Sequence, residues 1–123
     1  MNNYKGKNVL LVDDDKLILT ILERILKKYK LTIDRCGNTP ELLDVLKRKT
    51  YDLVFLDHMM PIISGTEAMH QLKTAGYSKP IVVVTSNEGD EFKNRYLSLG
   101  FDDYLSKPLD IEELERVLEK FLK

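Results

Sequence analysis

Three adjacent carboxylates, Asp13-Asp14-Asp15, follow the apolar run Val9–Val12, and a lone acid, Asp57, follows Leu53–Leu56. The run Ile81–Thr85 closes on a hydroxyl, and Lys107 stands just past the short run Tyr104–Leu105. Crowded carboxylates repel unless a cation or a proton compensates. Hard oxygen donors, with water filling the remaining positions, favour Mg²⁺ over zinc. His58 and His70 have no partner at zinc spacing, and the single cysteine, Cys36, cannot complete such a site. Phosphoryl transfer needs a nucleophile, a metal for the phosphoryl oxygens, and further donors for the charge they carry. A carboxylate can be that nucleophile, giving an acyl phosphate. Asp57 suits the role, because it comes from the central strand between the acids and the Thr85/Lys107 side. Asp13 and Asp14 suit the metal, Lys107 offers a positive charge, and Thr85 offers a hydroxyl donor. Asp15 is left out, since a helix starting here needs a capping residue. Capping by all three acids would leave Asp57, Thr85 and Lys107 at matching strand ends unexplained.

These side chains need a scaffold that brings several strand ends to one edge. Five short apolar runs alternate with five helix-like stretches: Val9–Val12, Leu31–Ile33, Leu53–Leu56, Ile81–Thr85 and Tyr104–Leu105 are the strands. Val9–Val12 and Ile81–Val84 are continuous rather than alternating, as in strands covered on both faces. Ile18, Ile21, Leu22, Ile25, Leu26 and Tyr29 recur at helical spacing, which makes them the inward stripe of the first helix and leaves Leu17 and Leu19 off its centre. Thr39-Pro40 reads as an N-cap with proline at the first helical position. Ser64-Gly65-Thr66-Glu67 reads as a capping box, and Asp110 with Glu113 as its near relative. Gly76 and Gly100 mark the ends of the third and fourth helices. The pattern predicts an α/β domain over residues 1–123, a five-stranded parallel sheet with helices on both faces. Its ligand site belongs at the carboxyl ends of the strands.

Composition narrows the classes. A chain of 123 residues, 43% hydrophobic, fits one domain with an ordinary core. Nineteen basic residues against twenty acidic give a net charge of −1, which disfavours direct nucleic-acid binding. No run approaches the roughly 18 apolar residues of a membrane span, and the first residues do not read as a signal peptide. With one cysteine no internal disulfide forms, which suits a cytoplasmic setting.

In order and spacing, these residues resemble the receiver domains of two-component response regulators over essentially the whole chain. Val12-Asp13-Asp14 resembles the family's acidic pair, and Leu56-Asp57-His58-Met59-Met60-Pro61-Ile62-Ile63-Ser64-Gly65 its acceptor motif. Val84-Thr85-Ser86 resembles the hydroxyl position with its small neighbour, and Tyr104-Leu105-Ser106-Lys107-Pro108 the aromatic switch residue and the lysine–proline that close the site. Ser64 stands where aspartate is common and Ser86 where alanine is; neither departure removes a catalytic group. The resemblance implies a doubly wound, flavodoxin-like fold of strand order 2-1-3-4-5 with five helices. It implies Mg²⁺ on Asp14, Asp57 and the backbone carbonyl of Met59, with Asp13 helping through water. It implies a phosphohistidine donor on a histidine kinase or histidine phosphotransfer domain, and a switch in which Thr85 and Tyr104 move together. Such a domain is a phosphoacceptor switch rather than a conventional enzyme.

The acceptor motif and Gly100–Pro108 resemble most the receivers fused to hybrid histidine kinases. The expected origin is therefore the cytoplasmic part of such a parent, membrane-bound or not, with a stand-alone regulator as the alternative. Three further expectations follow. The Lys107–Pro108 peptide should be cis. Leu17 and Leu19 should lie exposed beside the site as a docking surface for a phosphotransfer helix. His58 should be structural or exposed rather than catalytic, and Met59 and Met60 packing residues, with bordering the site as the alternative for Met59. The rival reading is a haloacid-dehalogenase-like phosphatase with Asp13 as nucleophile and Asp15 as acid, which leaves Asp57 unexplained.

Overall fold

The computed structural model describes residues 3–60 and 62–123. Strands and helices alternate as β1 (Asn8–Val12), α1 (Lys16–Lys27), β2 (Thr32–Cys36), α2 (Thr39–Arg48), β3 (Leu53–Asp57), α3 (Gly65–Thr74), β4 (Ile81–Thr85), α4 (Asp90–Ser98), β5 (Asp103–Ser106) and α5 (Ile111–Leu122). All strand pairs are parallel, in the order β2-β1-β3-β4-β5. This is the expected flavodoxin-like arrangement.

Successive strand residues point to opposite faces, so each strand feeds two cores. Val9, Leu11, Phe55, Val82 and Val84 pack against Leu19, Leu22 and Leu26 of α1 and Leu114, Val117 and Leu118 of α5. Leu10, Val12, Leu56, Ile81 and Val83 pack against Leu42 of α2, Met69 and Leu72 of α3, and Tyr96 of α4. Residues Val9–Val12 of β1 and the whole of β3 and β4 are buried, which explains their unbroken apolar runs. Removing such a side chain from water contributes about 1.5–3 kcal/mol.

Three local expectations need correction. The second strand is Thr32–Cys36 rather than Leu31–Ile33. It is an edge strand paired to β1 alone, and Asp34 and Arg35 interrupt any apolar run. Helix α2 is capped one residue earlier than expected: Asn38 accepts from the Glu41 amide at 2.8 Å. Thr39 is instead buried and donates to the Ile63 carbonyl at 2.7 Å. On α1, Leu19 belongs to the core, 4% exposed, whereas Ile21 is 48% exposed. The inward face is Leu19, Leu22 and Leu26, continued by Tyr29. Ile18 and Ile25 are partly buried and pack against the same core, so of the expected stripe only Ile21 is out of place. The three border a groove of about 290 Å³ closed by Lys107, Pro108 and Leu109. Of the two leucines expected at the surface, only Leu17 is there.

One buried carboxylate lies apart from the acid cluster. Asp103, at the start of β5, accepts from Arg116 of α5 at 2.8 and 3.2 Å, from Lys120 at 3.1 Å and from the Tyr104 amide at 2.7 Å. Burial alone would raise its carboxyl, but Arg116, the Tyr104 amide and Lys120 hold it down to about 2. These contacts fasten α5 to the strand that carries Tyr104.

Candidate functional site

The sheet brings the predicted side chains to one edge. Asp13 lies one residue past β1, where its amide still bonds the Cys36 carbonyl at 3.1 Å. Its Oδ1 accepts from the Asp15 amide at 3.0 Å, which fixes the carboxylate at the mouth of the loop. Asp15 itself caps α1, accepting from the Leu17 and Ile18 amides at 2.9 and 3.3 Å. Asp57 ends β3, and Lys107 is held beside Thr85 by a bond from its amide to the Thr85 carbonyl at 2.8 Å. The Lys107–Pro108 peptide is cis, as expected.

Asp13 and Asp57 are buried and Asp14 is exposed, and ligand atoms of all three carboxylates lie within 4.8 Å of one another. Lys107 Nζ donates to Asp57 Oδ1 at 3.0 Å and to Asp13 Oδ2 at 3.4 Å. Burial raises the Asp57 carboxyl, and the Asp13 charge adds to this, against the pull of Lys107. Burial works against the Lys107 ammonium, but its two carboxylate partners outweigh that and raise it. Behind the carboxylates, Leu11, Leu19, Leu22, Phe55 and Val84 enclose a void of about 10 Å³, the lower limit for one water. The site therefore has an apolar back and an open acidic mouth. Every donor in the acid cluster is a carboxylate oxygen, a set that suits a hard divalent cation.

Thr85 is 1% exposed. Its Oγ1 accepts from the Asn87 amide at 3.1 Å and shares a hydrogen bond with the Tyr96 hydroxyl at 3.3 Å. Tyr104 is half-buried, and its hydroxyl donates to the Asn87 carbonyl. Burial, with the Glu88 charge, raises that phenol. His58 has a structural setting: its Nδ1 shares a hydrogen bond with Thr66 Oγ1 at 3.2 Å, and its ring meets Tyr96 edge-on at 5.2 Å. Burial lowers its pKa. Met60 packs against the core as expected, but Met59 is 70% exposed at the mouth, so its side chain is not a packing residue. Pro61, part of the acceptor motif, lies outside the described residues.

Two features of this region were not anticipated. Tyr96 sits among the site's neighbours although its helix has a weak apolar pattern. Gly65 approaches β3 so closely that a Cβ there would stand 2.7 Å from the Asp57 carbonyl oxygen and 3.0 Å from His58 Cα. The glycine was visible in the motif; the contact that demands it was not.

An α/β sheet of this order, with an acid cluster, a hydroxyl and a lysine at its carboxyl edge, has the form of a signalling receiver. The chain belongs to the response regulator receiver domain family, which it matches over residues 9–119. It is 36% identical over 106 residues to the response regulator MprA of a Mycobacterium species, covering 86% of this chain and 46% of that protein. The chain spans less than half the length of such curated relatives. One similar solved structure is the receiver domain of sensor histidine kinase PA1611 from Pseudomonas aeruginosa, with a magnesium ion in its active site cleft. It is 26% identical, with a TM-score of 0.84 and coverage of 95% of this chain and 98% of that one. Another is the receiver domain of Ssk1 in complex with the Saccharomyces cerevisiae histidine phosphotransfer protein Ypd1. It is 28% identical, with a TM-score of 0.84 and coverage of 96% and 90%. Receiver domains are signalling switches. The phosphatase alternative is not supported: the receiver match takes in Asp13–Asp15, and Asp15 is spent on the helix cap. No described helix is long and apolar enough to cross a membrane.

Proposed function

We propose that this chain is the phosphoacceptor of a two-component phosphorelay. Asp57 takes a phosphoryl group from a phosphohistidine on a histidine kinase or histidine phosphotransfer domain. An Asp57 oxygen attacks phosphorus, the phosphorus–nitrogen bond breaks, and the donor imidazole leaves with that electron pair. The observation that carries this reading is Lys107 bridging Asp57 and Asp13 inside a cluster of three acids. Asp13, Asp14, Asp57 and the Met59 carbonyl would hold Mg²⁺, which when bound draws in phosphoryl oxygens and offsets their charge. Lys107, released from Asp57 Oδ1, pairs with a phosphoryl oxygen, and the Thr85 hydroxyl donates to another. Movement of Thr85 and Tyr104 then changes the surface around α4, β5 and α5. The domain thus promotes its own phosphorylation and a slow loss of phosphate.

The magnesium-bound kinase receiver and the Ypd1 complex support this reading by likeness. The kinase receiver also accords with a hybrid-kinase parent, and we take this receiver to span residues 1–123 and to work in the cytoplasm without contacting nucleic acid or membrane. The donor's helix would dock on Leu17, Ile18, Ile21 and Ile25 with Pro108 and Leu109, an apolar face beside the acceptor. The test is incubation with acetyl phosphate and Mg²⁺, followed by intact mass. Wild type should gain one phosphoryl group and Asp57→Ala none; undiminished labelling of the variant would overturn the assignment.

A further inference from the structure

The hydroxyl bonded to Thr85 is that of Tyr96, whereas the Tyr104 hydroxyl goes to the Asn87 carbonyl. Tyr96 also accepts from Asn87 Nδ2 at 3.0 Å, so three side chains and one turn form a closed polar knot at the end of β4. The Tyr96 ring stacks on Tyr104, with centroids 5.9 Å apart and planes 20° apart, and meets Phe101 edge-on at 5.9 Å. His58, the residue after Asp57, also meets the Tyr96 ring edge-on. Tyr96 is therefore wedged between the acceptor strand and β5.

Tyr96 is the main anchor of helix α4, with Phe92 packed partly buried against the same core. Tyr96 is the only buried residue of the nine in α4, and Gly89 at its N-cap position supplies no side-chain bond. Moving Tyr96 thus frees the helix more readily than moving any side chain of α1 or α5, which bury three and four residues. Thr85 has one hydroxyl proton and two lone pairs, and the Asn87 amide takes one of these. Its contact with Tyr96, at 3.3 Å, is already long for a pair of hydroxyls, and travel toward a phosphoryl oxygen would break it.

We propose that Tyr96 is a positioning residue of the switch: its hydroxyl restrains Thr85 before phosphorylation, and departure of Thr85 releases α4 through the Tyr96 ring. This rests on the reading of Asp57 as phosphoacceptor. The restraint competes with phosphorylation, so removing it speeds labelling and uncouples the helix from the site.

The experiment is Tyr96→Phe, which keeps the ring and deletes the hydroxyl, made in wild-type and Thr85→Ala backgrounds. Each protein is labelled with acetyl phosphate and Mg²⁺, and amide exchange in α4 is followed before and after labelling. Loss of one hydrogen bond predicts labelling about two- to tenfold faster in Tyr96→Phe. The further rise in α4 exchange on labelling should shrink by about half or more, and Tyr96→Phe should have no effect on labelling in the Thr85→Ala background. A structural defect alone would persist in that background, and that result overturns the proposal. Equal labelling rates and equal α4 responses in wild type and Tyr96→Phe overturn it too, leaving the phosphoacceptor reading intact. A wild type that fails to label removes both.

Discussion

Asp103→Asn removes one charge and keeps the shape, which makes it a clean probe of how β5 is tied to α5. Against an ordinary carboxyl near 3.9, a pKa of about 2 corresponds to about 2.5 kcal/mol at neutral pH, at about 1.4 kcal/mol per tenfold. Arg116 and Lys120 are 38% and 53% exposed, so solvent screens part of this, and about 1.5–2.5 kcal/mol is the expected loss for the variant at pH 7. Because the folded pKa is depressed, the contribution is present above the unfolded value near 3.9. It fades as pH falls toward about 2, leaving about half at pH 3. Urea unfolding of both proteins at pH 7, 4 and 3 measures it, and the titrations they share cancel in the difference. A difference below about 0.5 kcal/mol at pH 7, or one that stays constant down to pH 3, would refute the reasoning.

Gly65→Ala should lower stability by about 1–3 kcal/mol in urea, since its Cβ would meet backbone rather than a side chain that can turn aside. Acetyl phosphate labelling should fall with it, because the displaced atoms belong to Asp57 and His58. Leu17→Ser/Ile21→Ser should slow transfer from a phosphohistidine donor about tenfold more than it slows labelling by acetyl phosphate. Both side chains are exposed, so a shift in the unfolding midpoint would point to a packing role instead.

The interior strands were legible because cover on both faces leaves room for nothing but apolar residues, as in Val9–Val12 and Ile81–Val84. The acids, Thr85 and Lys107 were legible because strand ends in such a sheet converge. Helix α1 was harder. Its apolar positions Leu17, Ile18, Leu19, Ile21, Leu22, Ile25 and Leu26 cover more than one face, so periodicity alone could not choose between Leu19 and Ile21. Packing on the sheet chose Leu19. The Asn38 cap was missed because Thr39-Pro40 offered an equally good local signal, and the buried bond from Thr39 to Ile63 spans 24 residues. Asp103 and Tyr96 left no local trace. The Asp103 partners lie 13 and 17 residues downstream, and Tyr96, 11 residues from Thr85, meets it because the chain turns back between β4 and α4.

The strand order also sets how firmly each half of the site is held. β1 and β3 have a hydrogen-bonded neighbour on both sides, so Asp13 and Asp57 extend from the stiffest part of the sheet. β5 is an edge strand of four residues laddered to β4 alone. Tyr104 lies on it and Lys107 just beyond. The anionic half of the site works as an anvil, and the half carrying the ammonium and the aromatic ring hangs from the margin, where a small displacement disturbs the fewest backbone bonds.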